Sequence, residues 1–373
     1  MKKIKILYTI PNFDTAGSGK ALLNIAKRLN KNRFDVHIMC LHNRGKFYKE
    51  VEQSGIPLHI YPYISPSRPY TALALNVVKV ARKFRTLQPH IIHSFHYAAD
   101  YTEVLAARLA GVQWIFTKKN MNWGGASKNA WWLRSKLANR IAVQNTDMIC
   151  QFYPNSKKIE LIPRGVDITY FNILSSYTSD LIPSFPNKNL RYVVCIANMV
   201  PVKGIEFLIK AFNQLHEQHV NWRLNLVGDI NSSYGEELEQ LVRNLKLGHK
   251  IEFSGKVMDV RPYLHRAEIF VLPTRDKGRR EGSPVALLEA MASGKVVLGT
   301  NIPGIRDQLK NFPDYLVAPE NVNDLWFKLN LLMEKGTQEL DYLGKIFASY
   351  VQSHHTIEME TKKHEEMYLE VAL

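Results

Sequence analysis

The sequence predicts an α/β protein built from two domains, each with a parallel β-sheet covered by helices. Three observations carry this prediction. Apolar runs typical of buried strands alternate with amphipathic helical runs in both halves of the chain. A polar segment with two prolines, within 173–190, separates the halves. At 373 residues and 46% hydrophobic, the chain is too long for one ordinary core and has enough apolar residues for two.

The first half starts with this alternation. Strands are predicted at 4–10, 35–41 and 91–94, and helices at 21–29 and 73–87. Strands that alternate with helices pair in parallel through right-handed crossovers. A doubly wound sheet is therefore expected in this half.

The same pattern begins again after the polar segment. Strands are predicted at 192–196, 223–227, 250–254, 268–272 and 295–299, and helices at 205–215, 235–247 and 285–291. Ligands of doubly wound sheets bind beyond the carboxyl ends of the strands. Two such domains facing each other would form a cleft between them, where we expect the ligand.

Composition narrows the class of protein. The 49 basic residues against 34 acidic ones give a net charge of +15, which suits a nucleotide, a phosphorylated substrate, an anionic membrane or nucleic acid. No zinc-finger spacing, basic zipper or RNA-binding aromatic motif occurs, so we expect no nucleic-acid partner. No apolar window approaches the ~20 residues that span a bilayer. Cys40, Cys150 and Cys195 stand in apolar runs and are expected to be reduced core residues of a cytosolic protein.

The run Glu281-Gly282-Ser283-Pro284 precedes a predicted helix that contains Glu289 and ends near Gly294. A helix N-terminus presents unpaired backbone N–H groups and attracts an anion such as phosphate. Ionised glutamates beside it accept hydrogen bonds from ribose or sugar hydroxyls. The structural alternative, a helix-dipole glutamate and an exposed helical glutamate, stays open at this point.

Two further loops follow the first strand of each half. Gly17-Ser18-Gly19 can cradle a phosphate through backbone N–H groups, or be a flexible turn; the surrounding sequence lacks the Walker A spacing. Lys203 precedes the first helix of the second half, where it can neutralise a diphosphate or simply be solvated. Gly228 ends the next strand in a turn that is common in nucleotide-binding sheets.

Short motifs of these kinds occur in a characteristic order. They are Gly17-Ser18-Gly19, Ile162-Pro163-Arg164-Gly165-Val166-Asp167 with Phe171, Lys203-Gly204, Val227-Gly228-Asp229, Ser254-Gly255, Pro273-Thr274, Glu281-Gly282-Ser283-Pro284, Glu289-Ala290-Met291-Ala292 and Pro303-Gly304. Together they resemble the GT-B glycosyltransferases of family 4. The resemblance implies a retaining, nucleotide-sugar-dependent transferase of the hexosyltransferase type, with two Rossmann-like domains facing across an interdomain cleft.

The resemblance also assigns ranges and roles. It implies an acceptor-side domain at 1–172, a linker at 173–190, a donor domain at 191–354 and a helix at 355–373 that packs back onto the first domain. Lys203 matches the diphosphate lysine and Glu281 the glutamate that contacts the donor sugar. The expected donor-binding set is Gly17, Ser18, Gly19, Asn198, Gly228, Gly282, Ser283, Pro284 and Glu289, with Glu289 on the ribose.

Three positions depart from the family pattern. Asn198 stands where many members carry an arginine for the diphosphate, and Arg164 where the usual residue is asparagine. The stretch 275–280 is longer than usual, and Arg279 or Arg280 is a candidate for the missing charge. A histidine near the donor sugar is implied; His93 and His96 are the candidates, and His96 is favoured because it lies farther beyond the strand end.

The expected chemistry needs no cofactor. A leaving diphosphate gains negative charge in the transition state, which preorganised cations and N–H groups stabilise. No Asp-x-Asp occurs in the sequence, so we expect turnover without a metal ion. Two alternatives remain: a GT-B nucleotide-sugar epimerase, which needs no acceptor, and a non-catalytic sugar-binding or nucleotide-binding subunit, with which the Asn198 departure is compatible.

The acceptor is expected to be a glycan or a lipid-diphosphate-linked glycan, in synthesis of a surface polysaccharide. The segments 118–123 and 131–141 combine tryptophan with lysine and arginine, which suits a membrane interface or a helix packed on its own sheet. We expect a cytoplasmic protein, with peripheral contact to the anionic inner face of the membrane as a further expectation.

Overall fold

The computed structural model describes residues 3–13, 16–45, 47–66, 68–96, 98–123, 128–172, 189–278 and 281–372. By its internal contacts the chain divides into two units. The first unit is Met1–Pro163 with Ile357–Leu373, and the second is Arg164–Thr356. Residues 173–188 of the predicted linker lie outside the described residues, as do Arg279 and Arg280.

The strands form two groups, one in each unit. They are β1 (Ile4–Thr9), β2 (Phe34–Cys40), β3 (Leu58–Ile60), β4 (Ile91–Ser94), β5 (Gln113–Lys118), β6 (Arg140–Val143) and β7 (Ile159–Leu161), then β8 (Arg191–Ile196), β9 (Trp222–Val227), β10 (Ile251–Gly255), β11 (Ile269–Leu272), β12 (Val296–Thr300) and β13 (Leu316–Val317).

Helices connect successive strands. They are α1 (Ala16–Arg28), α2 (Tyr48–Glu52), α3 (Tyr70–Leu87), α4 (Thr102–Ala110), α5 (Lys128–Leu137), α6 (Thr146–Phe152), α7 (Ile168–Phe171), α8 (Ile205–Asn213), α9 (Ser233–Asn244), α10 (Arg261–Arg266), α11 (Val285–Ala292), α12 (Ile305–Gln308), α13 (Val322–Met333), α14 (Thr337–His354) and α15 (Ile357–Ala372).

Both sheets are parallel and doubly wound. The first unit has the order β3-β2-β1-β4-β5-β6-β7, and the second has β10-β9-β8-β11-β12-β13. In each sheet the chain winds outward in one direction and then returns to wind in the other. The reversal lies between β1 and β4 in the first unit and between β8 and β11 in the second. Such a switch point opens a crevice at the carboxyl ends of the strands.

The strands are buried because helices cover both faces of each sheet. All four residues of β11 and all five of β12 are buried, as expected for central parallel strands with continuous apolar runs. The C-terminal helix α15 belongs to the first unit, where Met367 and Tyr368 join the core formed by β1 and α1. The predicted α/β class and the predicted strands and helices are confirmed, with ends shifted by a few residues.

Two local expectations are corrected. Gly17, Ser18 and Gly19 lie in the first turn of α1 and not in a loop before it. Cys40 and Cys195 are buried, but Cys150 is exposed because it lies on the outer side of α6. Among the described residues, none of the helices is both long enough and apolar enough to cross a bilayer.

Candidate active site

The switch point of the second unit brings two loops together. The loop after β8 carries Asn198 and Lys203, and the loop after β11 carries Glu281 and the glycine that follows it. The two strands are neighbours, so their carboxyl ends lie at the same edge of the sheet. Residues 78 positions apart in sequence therefore share one site.

Glycines shape the loop after β8. A Cβ at Gly228 would lie 1.8 Å from Ala197 O, so the turn after β9 approaches the β8 loop too closely for any side chain. Gly204 follows the 3₁₀ turn Pro201–Lys203 with a φ of +62°, and a Cβ there would lie 2.4 Å from Pro273 O. These approaches fix the backbone that carries Asn198 and Lys203.

The loop after β11 is supported from α12. Gln308 Nε2 donates to Ser283 Oγ at 2.9 Å and to Pro284 O at 3.1 Å. Gly304 has a φ of +84°, and a Cβ there would lie 2.2 Å from Gly282 O. The Pro303-Gly304 motif thus has a physical reason, because only glycine leaves room for the segment 281–284.

Lys203 and Glu281 form an ion pair across the two loops. Their side chains are 16% and 23% exposed, so the pair is sheltered yet open to solvent on one side. A phosphate would compete with the carboxylate for the lysine, and a hydroxyl donor would compete with the lysine for the carboxylate. Before ligand binds, each group keeps the other neutralised.

A second cation–carboxylate pair adjoins the first. Arg275 donates from Nη2 to Glu206 Oε1, and Glu206 Oε2 accepts from the hydroxyl of Tyr234. That hydroxyl in turn accepts the backbone N–H of Ile205 at 3.0 Å. Burial raises the pKa of Tyr234, so the hydroxyl keeps its proton and remains a donor. Sequence reasoning missed Arg275, Glu206 and Tyr234.

Helix α11 follows the segment 281–284 directly. Pro284 precedes its first residue as the N-cap, and Gly294 ends it with a φ of +68°. Glu289 lies within the helix, as predicted, and its side chain is half-buried. The helix N-terminus therefore lies immediately after the loop that carries Glu281.

The first unit has its own polar cluster at its switch point. Glu103 is fully buried and accepts hydrogen bonds from Thr9 Oγ1 and from Ser94 Oγ, the second at 2.7 Å. Thr9 ends β1 and Ser94 ends β4, so one carboxylate joins the two strands on either side of the switch. Burial raises the pKa of Glu103, while the positive charge of Arg134 opposes this shift.

Arg134 is the fully buried cation of this cluster. Its guanidinium donates to Ala98 O at 2.9 Å, Asp100 O at 3.1 Å, Ser94 Oγ at 3.2 Å and His96 O at 3.3 Å. It also lies over the ring of Phe116, with 4.7 Å from Cζ to the centroid. The arginine therefore holds the backbone of the loop after β4 in place.

The two candidate histidines differ in environment. His93 is fully buried within β4, with Nδ1 2.6 Å from Tyr368 Oη and Nε2 2.8 Å from Thr117 Oγ1. His96 lies beyond the strand end and is 7% exposed. Burial lowers the pKa of His96 to about 3, with Arg134 and Lys119 adding to the shift. A neutral imidazole at this position can hydrogen-bond a sugar hydroxyl but cannot supply a positive charge.

Comparison with known proteins identifies the family. The family profile described as "Glycosyl transferases group 1" matches residues 180–346, and the one described as "Glycosyltransferase Family 4" matches residues 15–170. The chain belongs to the family 4, group 1 glycosyltransferases.

Similar proteins agree with this membership. An uncharacterised glycosyltransferase from Haemophilus influenzae is 24% identical over 88% of this chain and 90% of its own length. The capsular polysaccharide biosynthesis glycosyltransferase CapH of Staphylococcus aureus is 21% identical over 87% of this chain and 88% of its own. The solved structure of Anabaena HepE with UDP and glucose has a TM-score of 0.81 at 19% identity, covering 97% of this chain and 98% of that one. The fold is GT-B.

In this glycosyltransferase the predicted site residues fall into two groups. Asn198, Lys203, Gly228, the segment 281–284 and Glu289 lie in the second unit, around or next to its switch point. His96 and the segment 17–19 lie in the first unit, at its own switch point. Gly19 also packs closely, since a Cβ there would lie 2.8 Å from Phe13 Cδ1.

Sequence patterns pointed only indirectly to the site residues that were missed. Arg275 comes directly after Pro273-Thr274 at a strand end, where a basic residue meets any ligand of a parallel sheet. No sequence pattern indicated Gln308, because its role depends on the contact that α12 makes with the segment 281–284. Within the described ranges, no three His, Cys, Asp or Glu side chains lie close enough together to hold a metal ion.

Proposed function

We propose that this glycosyltransferase is a retaining enzyme that transfers a hexosyl group from a nucleotide sugar to a glycan or lipid-diphosphate-linked acceptor in surface polysaccharide synthesis. The observation that carries the proposal is the Lys203–Glu281 ion pair at the switch point of the second unit, followed by Glu289 on α11. The UDP and glucose bound to HepE and the capsular role in the name of CapH support the donor and acceptor classes.

The residues divide the task by charge. Lys203 would leave Glu281 for the donor diphosphate and stabilise the negative charge that grows when the bond from the anomeric carbon to the phosphate oxygen breaks. Glu281, released, would accept hydrogen bonds from sugar hydroxyls, and Glu289 from the ribose. Neutral His96 is proposed to hydrogen-bond the donor sugar.

A thermal-shift screen against UDP, GDP, ADP and their sugar conjugates tests the donor site. A ligand that binds only the folded protein raises its midpoint of unfolding. We expect one nucleotide series to do so, and Glu289→Ala to abolish the shift. Glu239→Ala is the matched control, because Glu239 is a helical glutamate of the same unit whose side chain is 43% exposed and pairs with Arg243 at 3.9 Å.

Two other outcomes would point elsewhere. Isomerised donor in the absence of any acceptor would make the protein a nucleotide-sugar epimerase. Tight donor binding with no transfer to any acceptor would make it a non-catalytic binding subunit.

Absence of binding by every nucleotide would overturn the donor site itself. The anomeric configuration of the product, measured by NMR coupling constants, tests retention.

Metal-independent turnover is part of the proposal. It rests on the lack of an Asp-x-Asp sequence and on the two cations, Lys203 and Arg275, at the switch point. Activity should be unchanged in EDTA. Loss of activity in EDTA that Mg²⁺ or Mn²⁺ restores would refute it.

We also propose that peripheral contact with an anionic membrane is made through α3, in place of the segment 131–141. Trp131 and Arg134 of that segment are buried and pack inside the first unit, which favours the alternative of a helix packed on its own sheet. Helix α3 contains no acidic residue. Its exposed side combines apolar with basic side chains: Tyr70, Leu75 and Val78 with Lys79, Arg82 and Arg85.

Vesicle sedimentation tests this surface. Vesicles with phosphatidylglycerol should sediment the protein, and vesicles of phosphatidylcholine alone should not. Lys79→Glu with Arg82→Glu should abolish sedimentation. Lys362→Glu makes the same kind of change on the exposed side of α15 and should leave it intact. Equal sedimentation of both variants would refute the assignment to α3.

A further inference from the structure

Arg275 lies at the same switch point as Lys203. Its backbone N–H donates to Val202 O at 2.8 Å, which fastens the start of the β11 loop to the turn that carries Lys203. A Cβ at Gly204 would lie 3.3 Å from Arg275 Cγ, so the arginine stem covers that turn directly. The ring of Phe207 lies 5.2 Å from its Cζ and borders the guanidinium.

We propose that Arg275 is the second diphosphate-binding cation of this donor site, supplying from the β11 loop the charge that residue 198 lacks. The inference rests on the nucleotide-sugar donor proposed above. It replaces the expectation that Arg279 or Arg280, which lie outside the described residues, supplies that charge.

The charges at the switch point support this role. Lys203 pairs with Glu281 and Arg275 with Glu206, so the four groups sum to no net charge. The diphosphate of a nucleotide sugar carries two negative charges. With both cations turned to the ligand, each negative charge of the diphosphate would contact one cation, whereas Lys203 alone would leave one phosphate without a cation beside it in a partly desolvated site.

Glu206 keeps a hydrogen-bond donor if Arg275 moves away from it. Its second oxygen accepts the hydroxyl of Tyr234, whose pKa is raised by burial. The carboxylate therefore keeps one hydrogen bond when Arg275 turns to a ligand. The Tyr234 hydroxyl also accepts a hydrogen bond from the backbone N–H of Ile205 at 3.0 Å, so the Glu206–Tyr234 contact is fixed to the start of α8.

Arg275 can also form contacts beyond its ion pair with Glu206. Its side chain is 30% exposed, so it can meet a ligand from solvent. Its Nε–H is screened from solvent and has no acceptor among the described residues. A guanidinium offers five donors in a fork that fits phosphate oxygens, and a hydrogen bond to a charged phosphate would use that N–H.

Calorimetric titration of Arg275→Gln tests the proposal. The probes are the nucleoside diphosphate that most stabilises the wild-type protein and the matching monophosphate. The diphosphate should bind at least about tenfold more weakly to the variant, which is about 1.4 kcal/mol. The monophosphate, which lacks the outer phosphate, should change by less than about threefold.

Lys277→Gln is the matched control. Lys277 stands on the same loop with the same charge, but its side chain is 76% exposed and pairs with Glu320 at 3.3 Å. Its titrations should equal those of the wild-type protein. Adding Asn198→Arg to Arg275→Gln should restore much of the diphosphate affinity, because it returns the charge to the β8 loop.

Several results would overturn the inference. Equal titrations for Arg275→Gln and Lys277→Gln would do so, as would equal losses for diphosphate and monophosphate. If Arg275→Gln lowers the midpoint of unfolding so far that titration fails, Arg275→Lys takes its place, with a loss for the diphosphate alone expected. Wild-type protein that binds no nucleotide would overturn the donor site and this inference together.

Discussion

The two units place charged residues at the same point of the same topology and use them differently. In the second unit Lys203 and Arg275 are partly exposed, and each pairs with one carboxylate that a ligand can displace. In the first unit Arg134 and Glu103 are fully buried and bind backbone and hydroxyl groups of the loops themselves. One switch point presents cations that a ligand can reach, and the other uses buried charges to hold its own loops in place.

This difference follows from where each cation starts. Lys203 and Arg275 lie on loops at the sheet edge, so their charged groups reach solvent. Arg134 comes from α5 and points inward among Trp114, Phe116 and Trp131, where water cannot solvate it. A buried cation must find several acceptors within the protein, and carbonyls of the loop after β4 provide them. Loss of charge should therefore affect stability in the first unit and ligand chemistry in the second.

The largest expected effect is on stability in the first unit. Arg134→Met should lower the free energy of unfolding by about 3–5 kcal/mol, because Glu103 would remain buried without its cation. Urea unfolding measures this change. Lys136→Met, on the exposed side of the same helix, should stay within about 0.5 kcal/mol of the wild-type protein. Similar losses in both variants would contradict the structural role of the buried arginine.

The next effect is on catalysis in the second unit. Lys203→Gln should lower kcat/KM by about 10²–10³, because the leaving diphosphate loses its cation. Its free energy of unfolding should change by less than about 1 kcal/mol, since a partly exposed ion pair contributes little. Lys210→Gln, in the last turn of α8, is the control and should keep full activity. A large loss of stability with intact kcat/KM would reverse the comparison between the units.

The smallest effect concerns pH. Burial lowers the pKa of His93 well below its usual 6.5 in the folded protein, so below pH 6.5 the unfolded chain binds a proton that the folded chain excludes. Stability should therefore fall as the pH falls, by about 1.4 kcal/mol per pH unit for this one proton. His93→Gln should lose that share of the slope in urea unfolding at pH 7, 6 and 5. Equal slopes in the wild-type protein and in His93→Gln would contradict the assignment.

Much of the fold was predictable because it depends on local patterns. Strand β11 is a continuous apolar run, β1, β4 and β8 each contain a shorter one, and α8 and α9 carry apolar residues at helical spacing. Glu281, Glu289 and Gly294 were predicted from spacing and helix-stop chemistry. The segment 17–19 was wrong in detail, since two glycines suggested a loop and the structure extends α1 over them.

The burial of individual side chains was less predictable. The sequence could not separate Trp131 and Arg134, which are buried, from Trp132, which is 56% exposed. A helix of mixed aromatic and basic residues has no single polar side, so the elements packed against it determine which face is buried. Cys150 likewise is exposed although it stands in an apolar run.

By itself the sequence determined the two doubly wound sheets, the family and the loops that carry Lys203 and Glu281, because hydrophobic period and glycine position act over a few neighbouring residues. Only the tertiary structure decided which distant groups meet: Arg275 with Glu206, Gln308 with Ser283, and Arg134 with the loop after β4. These partners are separated by 69, 25 and about 36 residues and are joined by strand order, which single-residue patterns do not encode.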